Sequence, residues 1–229
     1  MDERIILLET STSLCSTALL ENGQITASRQ SQEPRAHASM TAPFVQQMLE
    51  ERGLGVRDCN AVCLSMGPGS YTGLRVGSST AKGLCFGAGI PLLAVSTLDV
   101  LVAQALEEGL PEGCRYIVPM IDARRMEVYT ATYTAAGERL DDIQPRIVGS
   151  GAYADLLSEG PVLFIGDGVL KCKDAIGSPL ASFRQECPRA DAMKAPAMRE
   201  YSRGAFRDTA YFEPFYLKEF QATTPKKLL

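Results

Sequence analysis

The residues with the most specific chemical potential lie in GPGSYTGLRVG, from Gly67 to Gly77. A glycine-rich turn between a buried strand and a helix leaves backbone N–H groups unpaired at the positive end of the helix dipole, which makes an anion site. Gly67, Gly69, Ser70 and Thr72 would line such a loop, and a tight turn capped by Ser70 or Thr72 fits the same residues equally well. No lysine follows the last glycine ahead of a Ser or Thr, so the segment is not a Walker sequence. Nor is Ser70 a hydrolase elbow. Pro68 and Thr72 stand where that turn needs glycines, and the only available base is His37, the single histidine of the chain.

Acidic residues at predicted strand ends form the second group. Glu9, Asp122 and Asp167 would hold Mg²⁺ around a nucleotide if two lobes closed a cleft over the Thr10 and Ser11 turn. The same residue types also serve as turn and cap residues that bond nearby backbone N–H groups. Seven cysteines occur without a CxxC pair, which reads as reduced thiols, and with one histidine no metal site is expected.

A net charge of −4 and a pI near 5.2 argue against a protein that grips a phosphate backbone alone, so any RNA contact is expected to be shared with a partner. Lys226 and Lys227 read as a solvated end. Asp2, Glu3 and Arg4 precede a strand without a secretory-type apolar stretch. The most apolar region, Leu84 to Val95, is broken by Gly87, Gly89 and Pro91 and is shorter than the roughly 18 to 20 residues that span a bilayer. With 45% hydrophobic and 22% charged residues, the expectation is a soluble cytoplasmic protein.

The elements that must position these groups follow from apolar periodicity. Ile5 to Leu8 and Cys15 to Leu20 are apolar runs separated by ETSTS, the second ending at the hairpin signal Asn22-Gly23, so the chain opens with a β-hairpin and Ile25 to Ser28 extend the meander. Met40, Phe44, Val45, Met48 and Leu49 mark a helix within His37 to Arg52, starting near Ser39. A strand at Ala61 to Met66, a helix at Tyr71 to Ala88 and a strand at Pro91 to Val95 come next. Ser96 and Asp99 match a capping box for a helix carrying Leu98, Leu101, Val102, Ala105 and Leu106. That completes a first lobe, residues 1–108.

The second lobe, 109–229, opens with Tyr116 to Ile121, DARR, Glu127 to Tyr133 and a turn at Ala136-Gly137. This repeats the first thirty residues at an offset of about 114 and lays Glu9 on Asp122. A helix at Ser150 to Ser158, a strand at Val162 to Ile165 ahead of GDG, and a helix from Ala190 to Arg203 interrupted at Pro196 are expected beyond it. The tail from Phe212 reads as extended, and from about residue 210 it is free to return to the first lobe.

The helix after the glycine turn carries Gly73, Gly77, Gly83 and Gly87. A glycine inside a helix costs about 0.8 to 1 kcal/mol relative to alanine, so close approach of another backbone must offset it. Gly73, Gly77 and Ala81 share a face with Leu74, Leu84 and Cys85 alongside. The expected neighbour is a helix of another chain, with packing on the lobe's own sheet as the alternative.

Five segments in order, IILLETSTSLCSTALLENG, GPGSYTGLRVG, GIPLLAVSTLD, IDARRMEVY and FEPFYLKEF, resemble the TsaB (YeaZ) family. The resemblance implies an α/β fold of the actin-like ATPase-domain (ASKHA, ribonuclease H-like) class, with duplicated lobes. It implies a part in making N6-threonylcarbamoyladenosine at position 37 of tRNAs. The partners would be a catalytic TsaD-like subunit and a TsaE-like ATPase, with tRNA engaged through the complex and a homodimer when the chain is alone. TsaD-like enzymes use an HxxxH metal site, which a lone His37 does not supply, so no catalytic residue is expected here. The family's first loop often reads DTST; Glu9-Thr10-Ser11-Thr12 lengthens the carboxylate and weakens any claim for ATP and Mg²⁺. The implied partner surface is the helix pair Ser39 to Arg52 and Tyr71 to Ala88. It would set Met40, Phe44 and Met48 against Gly73, Leu74, Gly77, Ala81 and Leu84 of another chain. A weak nucleotide-binding or ATP-hydrolysing enzyme is the alternative, and a glycoprotease-like peptidase ranks last because HExxH is missing.

Overall fold

The computed structural model describes residues 3–218. The continuous apolar run of Arg4–Glu9 (β1) makes it a central strand, buried on both faces. It pairs antiparallel with Cys15–Glu21 (β2), which hairpins through Asn22-Gly23 into Gln24–Ser31 (β3). Ala36–Glu50 (α1) leads to Ala61–Ser65 (β4), Tyr71–Ala88 (α2), Leu92–Val95 (β5) and Thr97–Glu108 (α3). The sheet order is β3-β2-β1-β4-β5, with β4 and β5 parallel to β1.

The second half repeats this plan. Tyr116–Asp122 (β6) pairs antiparallel with Glu127–Thr130 (β7), which pairs antiparallel with Gln144–Ile147 (β9). Val162–Ile165 (β10) and Ala181–Arg184 (β11) run parallel to β6 on its other side. Tyr133–Thr134 (β8) continues the β7 edge and pairs with β6. Three helices complete the half: Ala154–Glu159 (α4), Lys173–Ile176 (α5) and Lys194–Ser202 (α6). The order β9-β7-β6-β10-β11 reproduces the first sheet strand for strand and sense for sense. This is the duplicated two-lobed plan that the family resemblance implies.

Apolar cores form on both faces of each sheet. α1 and α2 cover one face of the first sheet through Val45, Leu49, Ala81 and Cys85. Its other face, with Ile5, Leu7 and Cys63, is closed by Ala190, Met193 and Ala197 from the second half. The second sheet is closed by α4 and α5 on one face, and on the other by Leu98, Leu101, Val102 and Ala105 of α3. The third helix of each half therefore lies on the other half's sheet, so residue 108 separates two sheets but not their cores. The chain from Arg207 onward also lies against the first half, where Arg207 bridges Leu92 and the Phe215 N–H donates to the Met66 carbonyl at 2.7 Å.

Several local readings are corrected. α1 begins at Ala36, not Ser39, and α4 at Ala154, not Ser150. Pro196 falls in the first turn of α6, where its missing N–H has no helical partner to lose, and does not interrupt the helix. Ser96 caps α3 through the Leu98 N–H at 3.2 Å, while Asp99 accepts from the Tyr133 hydroxyl at 2.7 Å instead of closing a capping box. The single strand expected over Glu127 to Tyr133 is broken at Ala131-Thr132, opposite Val118-Pro119 of β6, where the proline has no N–H to give the ladder. No described helix is long and apolar enough to cross a membrane. Lys226 and Lys227 lie outside the described residues.

Candidate functional site

The β1–β2 turn is seated on the start of α2. Ser70 N–H donates to the Ser11 carbonyl at 2.6 Å, and the Thr10 hydroxyl donates to the Gly73 carbonyl at 2.9 Å. A Cβ on Gly69 would lie 2.7 Å from the Ser11 Cβ. One on Gly73 would collide with the Thr10 carbonyl, and one on Gly77 with the Thr10 hydroxyl. Three glycines four residues apart thus make a groove that holds the turn. Gly67 has φ +113°, and a Cβ there would lie 2.7 Å from the Phe215 carbonyl. Ser70 caps α2 by accepting from the Gly73 N–H at 3.3 Å, and Thr72 is exposed. The N–H groups of Ser70, Gly73 and Leu74 are therefore committed within the chain.

Acidic groups from both halves meet beside this turn. Glu9 is fully buried, and its Oε1 accepts from the Ser11 N–H at 2.6 Å while Oε2 has no partner. Burial pushes the Glu9 carboxyl up to about 7, with the Ser11 hydrogen bonds opposing the rise and the Asp167 charge adding to it. Asp167, in the Gly166-Asp167-Gly168 turn after β10, accepts from the Asp122 N–H at 2.8 Å and is pushed up to about 6, chiefly by burial. Asp122 accepts from the Arg124 N–H at 2.8 Å and from the Lys171 ammonium.

The β6–β7 loop is unusual in backbone geometry. Arg124 and Arg125 have φ +69° and +51°, consecutive left-handed residues with side chains, each costing about 1–2 kcal/mol. Its first-half counterpart, Thr10 to Leu14, contains no residue of positive φ. From Phe215 the tail reaches this loop. Tyr216 packs on Tyr71 with ring centroids 4.8 Å apart, the Arg75 guanidinium lies 5.0 Å over the Tyr71 ring, and Lys218 pairs with Glu127.

α2 presents two different sides. Gly73, Leu74, Gly77 and Ala81 are buried within their own half, as are Phe44 and Met48 of α1, while Met40 and Leu84 are half-buried. The expectation that Gly73, Gly77 and Ala81 admit a helix of another chain is corrected: Thr10 and the first sheet already fill that side. Met48 faces inward, accepting from the Thr17 hydroxyl at 3.7 Å, and Phe44 packs with Cys15 and Ala36. Gly83 and Gly87 are the exposed pair, where an added Cβ would meet open space, and between them Phe86 is 88% exposed. Sequence reasoning missed Phe86, although an aromatic flanked by helix glycines was the available signal.

Comparison with known proteins bears on this arrangement. The model of the TsaD family, tRNA N6-adenosine threonylcarbamoyltransferase, matches residues 24–182. The tRNA threonylcarbamoyladenosine biosynthesis protein TsaB of Bacillus subtilis is 32% identical over 166 residues, covering 71% of this chain and 70% of that protein. The chain belongs to the TsaB (YeaZ) family. TsaB of Escherichia coli is 38% identical over 130 residues, 57% of this chain and 54% of that protein. With Haemophilus influenzae TsaB covered over 51%, the match spans about half the length of these two relatives. YeaZ from Pseudomonas aeruginosa superposes with a TM-score of 0.81 at 29% identity, covering 94% of this chain and all of that one.

In this TsaB-family chain the cleft residues do not fit a Mg²⁺-nucleotide. Glu9 is sealed behind the turn it supports, Thr10 and Ser11 are buried under α2, and Asp122 is tied to Lys171. Among the described residues no group of three or more His, Cys, Asp or Glu side chains is placed to hold a metal ion. His37 lies in the first turn of α1, on a different element from the acidic groups.

Proposed function

We propose that this chain is the non-catalytic scaffold and activator of a complex that makes threonylcarbamoyladenosine in tRNA, pairing with a TsaD-like catalytic subunit. A TsaE-like ATPase joins the pair, tRNA is engaged through the complex, and the chain self-associates through the same face when alone. The names of its relatives support the pathway, and the packing of Glu9, Thr10 and Ser11 supports the lack of catalysis. The observation that carries the scaffold role is the outer side of α2. Gly83 and Gly87 weaken the helix by about 1 kcal/mol each without any contact inside the chain, and Phe86 leaves a large ring in solvent. A partner helix lying across the glycines with Phe86 in its groove offsets both costs. The interface therefore shifts from the inner residues to Phe86, Gly83 and Gly87, with Met40 and Leu84 at its margin.

The test is reconstitution of tRNA modification with and without this chain, alongside Phe86→Glu and Gly83→Leu variants. Both variants should abolish the homodimer and capture of the catalytic subunit without lowering the melting temperature of the monomer. Equal modification without the chain removes the activator role, and unchanged sedimentation and capture remove the interface.

A further inference from the structure

The Arg124 and Arg125 side chains have no role in closing their loop, which the backbone does through the Arg124 N–H to Asp122 and the Glu127 N–H to the Arg124 carbonyl. Both side chains are exposed, and neither guanidinium has an ion pair or hydrogen bond among the described residues, whereas Arg4, Arg29, Arg52, Arg184, Arg189 and Arg199 all meet carboxylates. Glycine or asparagine would hold the left-handed backbone more cheaply. Two arginines there spend conformational energy to project charge.

The loop is one end of a continuous seam. Glu127, the acidic residue beside it, is occupied by Lys218, and Asp122 by Lys171. The charges of Lys218 and Arg124 reach Tyr129, working against the rise that burial imposes on its hydroxyl. From Lys218 the seam runs to Tyr216, whose ring packs on Tyr71 at a tilt of 36°, and ends at Arg75 over the Tyr71 ring. A chain of net charge −4 thus carries one strip in which two arginines without an ion pair adjoin a lysine, two aromatic rings and a third arginine. Arginines meet phosphate oxygens bidentately, and aromatic rings accept unstacked bases or riboses.

We propose that this seam is an RNA-binding surface, with Arg124 and Arg125 on the phosphate backbone and the Tyr71–Tyr216 pair beside an unstacked nucleotide. It rests on the tRNA reading above and places this chain, not only its catalytic partner, in contact with the nucleic acid. A strip this narrow supplements affinity rather than creating it, which agrees with the acidic balance of the whole chain.

The experiment measures binding of an unmodified tRNA transcript to this chain in complex with its TsaD-like partner, across a salt series. Arg124→Gln/Arg125→Gln should weaken binding roughly tenfold at low salt and flatten the slope of log K against log salt by about 1.4–1.8, the range for two lost phosphate contacts between single-stranded and duplex limits. Arg124→Gly/Arg125→Gly keeps the left-handed backbone and should lose the same affinity without a lower melting temperature, which separates charge from folding. Unchanged affinity and slope overturn the seam. So does weaker capture of the catalytic subunit in RNA-free buffer with RNA binding unchanged, which assigns the loop to an acidic protein. If the wild-type complex neither binds nor modifies tRNA, the tRNA reading itself fails; if it does both and the variants match it, only the seam does.

Discussion

The hydroxyl of Thr10 occupies the space a Cβ on Gly77 would need, and that hydroxyl donates to the Gly73 carbonyl at 2.9 Å. A turn between two strands is thereby keyed into a helix more than sixty residues later in the chain.

The keyed glycines and the open ones should respond oppositely to the same substitution. Gly73→Ala and Gly77→Ala must displace the Thr10 backbone or side chain, and each should lower stability by about 1–3 kcal/mol or more. Gly83→Ala and Gly87→Ala meet nothing within the chain and should raise monomer stability by about 0.5–1 kcal/mol each. Urea denaturation of the four variants reads the sign directly, and a common sign would refute the division of α2 into two sides.

Glu9 makes stability fall as pH rises. Its carboxyl titrates near 4.5 when unfolded and about 7 when folded. Between those values the folded chain keeps a proton that the unfolded chain has lost, so each pH unit costs about 1.4 kcal/mol, roughly 3 in all, and the loss levels off above 7. Asp167, pushed up to about 6, adds a slope of the same sign that fades between 6 and 7, so Glu9 supplies most of the slope in that interval. Glu9→Gln keeps an acceptor for the Ser11 N–H and should retain only the shallow slope from Asp167 across that interval, and be about 2–3 kcal/mol more stable above it. Denaturation midpoints with the same slope in both proteins would show that another group titrates there.

Tyr133 ties the second sheet to α3 through its 2.7 Å hydrogen bond to Asp99, which also meets Arg199 of α6 at 3.4 Å. Tyr133→Phe leaves the part-buried Asp99 carboxylate short of one donor and should cost about 1–2 kcal/mol. Asp99→Asn should cost less, because the amide oxygen still accepts from the tyrosine. A larger loss for Asp99→Asn than for Tyr133→Phe would mean that the carboxylate charge facing Arg199 outweighs the hydroxyl contact.

Central elements were legible because their signals are local. α2 runs from Tyr71 to Ala88 as its periodicity predicted, with Ser70 at one end and left-handed Gly89 at the other. The repeat that overlaid Glu9 on Asp122 is matched by two sheets of one order. The edge strands were invisible for opposite reasons. β9 contains Pro145 and charged or polar neighbours, which an edge tolerates, and β11 is half-buried throughout with no apolar run to mark it. Spacing also showed that Gly73 and Gly77 share a face, but only the fold reveals that Thr10 opposes it. The positive φ of Arg124 and Arg125 had no signal, since arginine carries no preference for that conformation.

The exchange of third helices between the sheets bears on synthesis. A nascent chain that has emerged through β6 has made every strand of the first sheet, yet Ile5, Leu7, Ala61 and Cys63 still lack Ala192, Met193 and Ala197. Those residues are translated some seventy positions later, so at about 5–20 residues per second an apolar surface waits several seconds for its cover. The ribosome therefore releases an unfinished first half that must be shielded until the last helix arrives, and cleavage near residue 108 would yield two fragments each missing one wall.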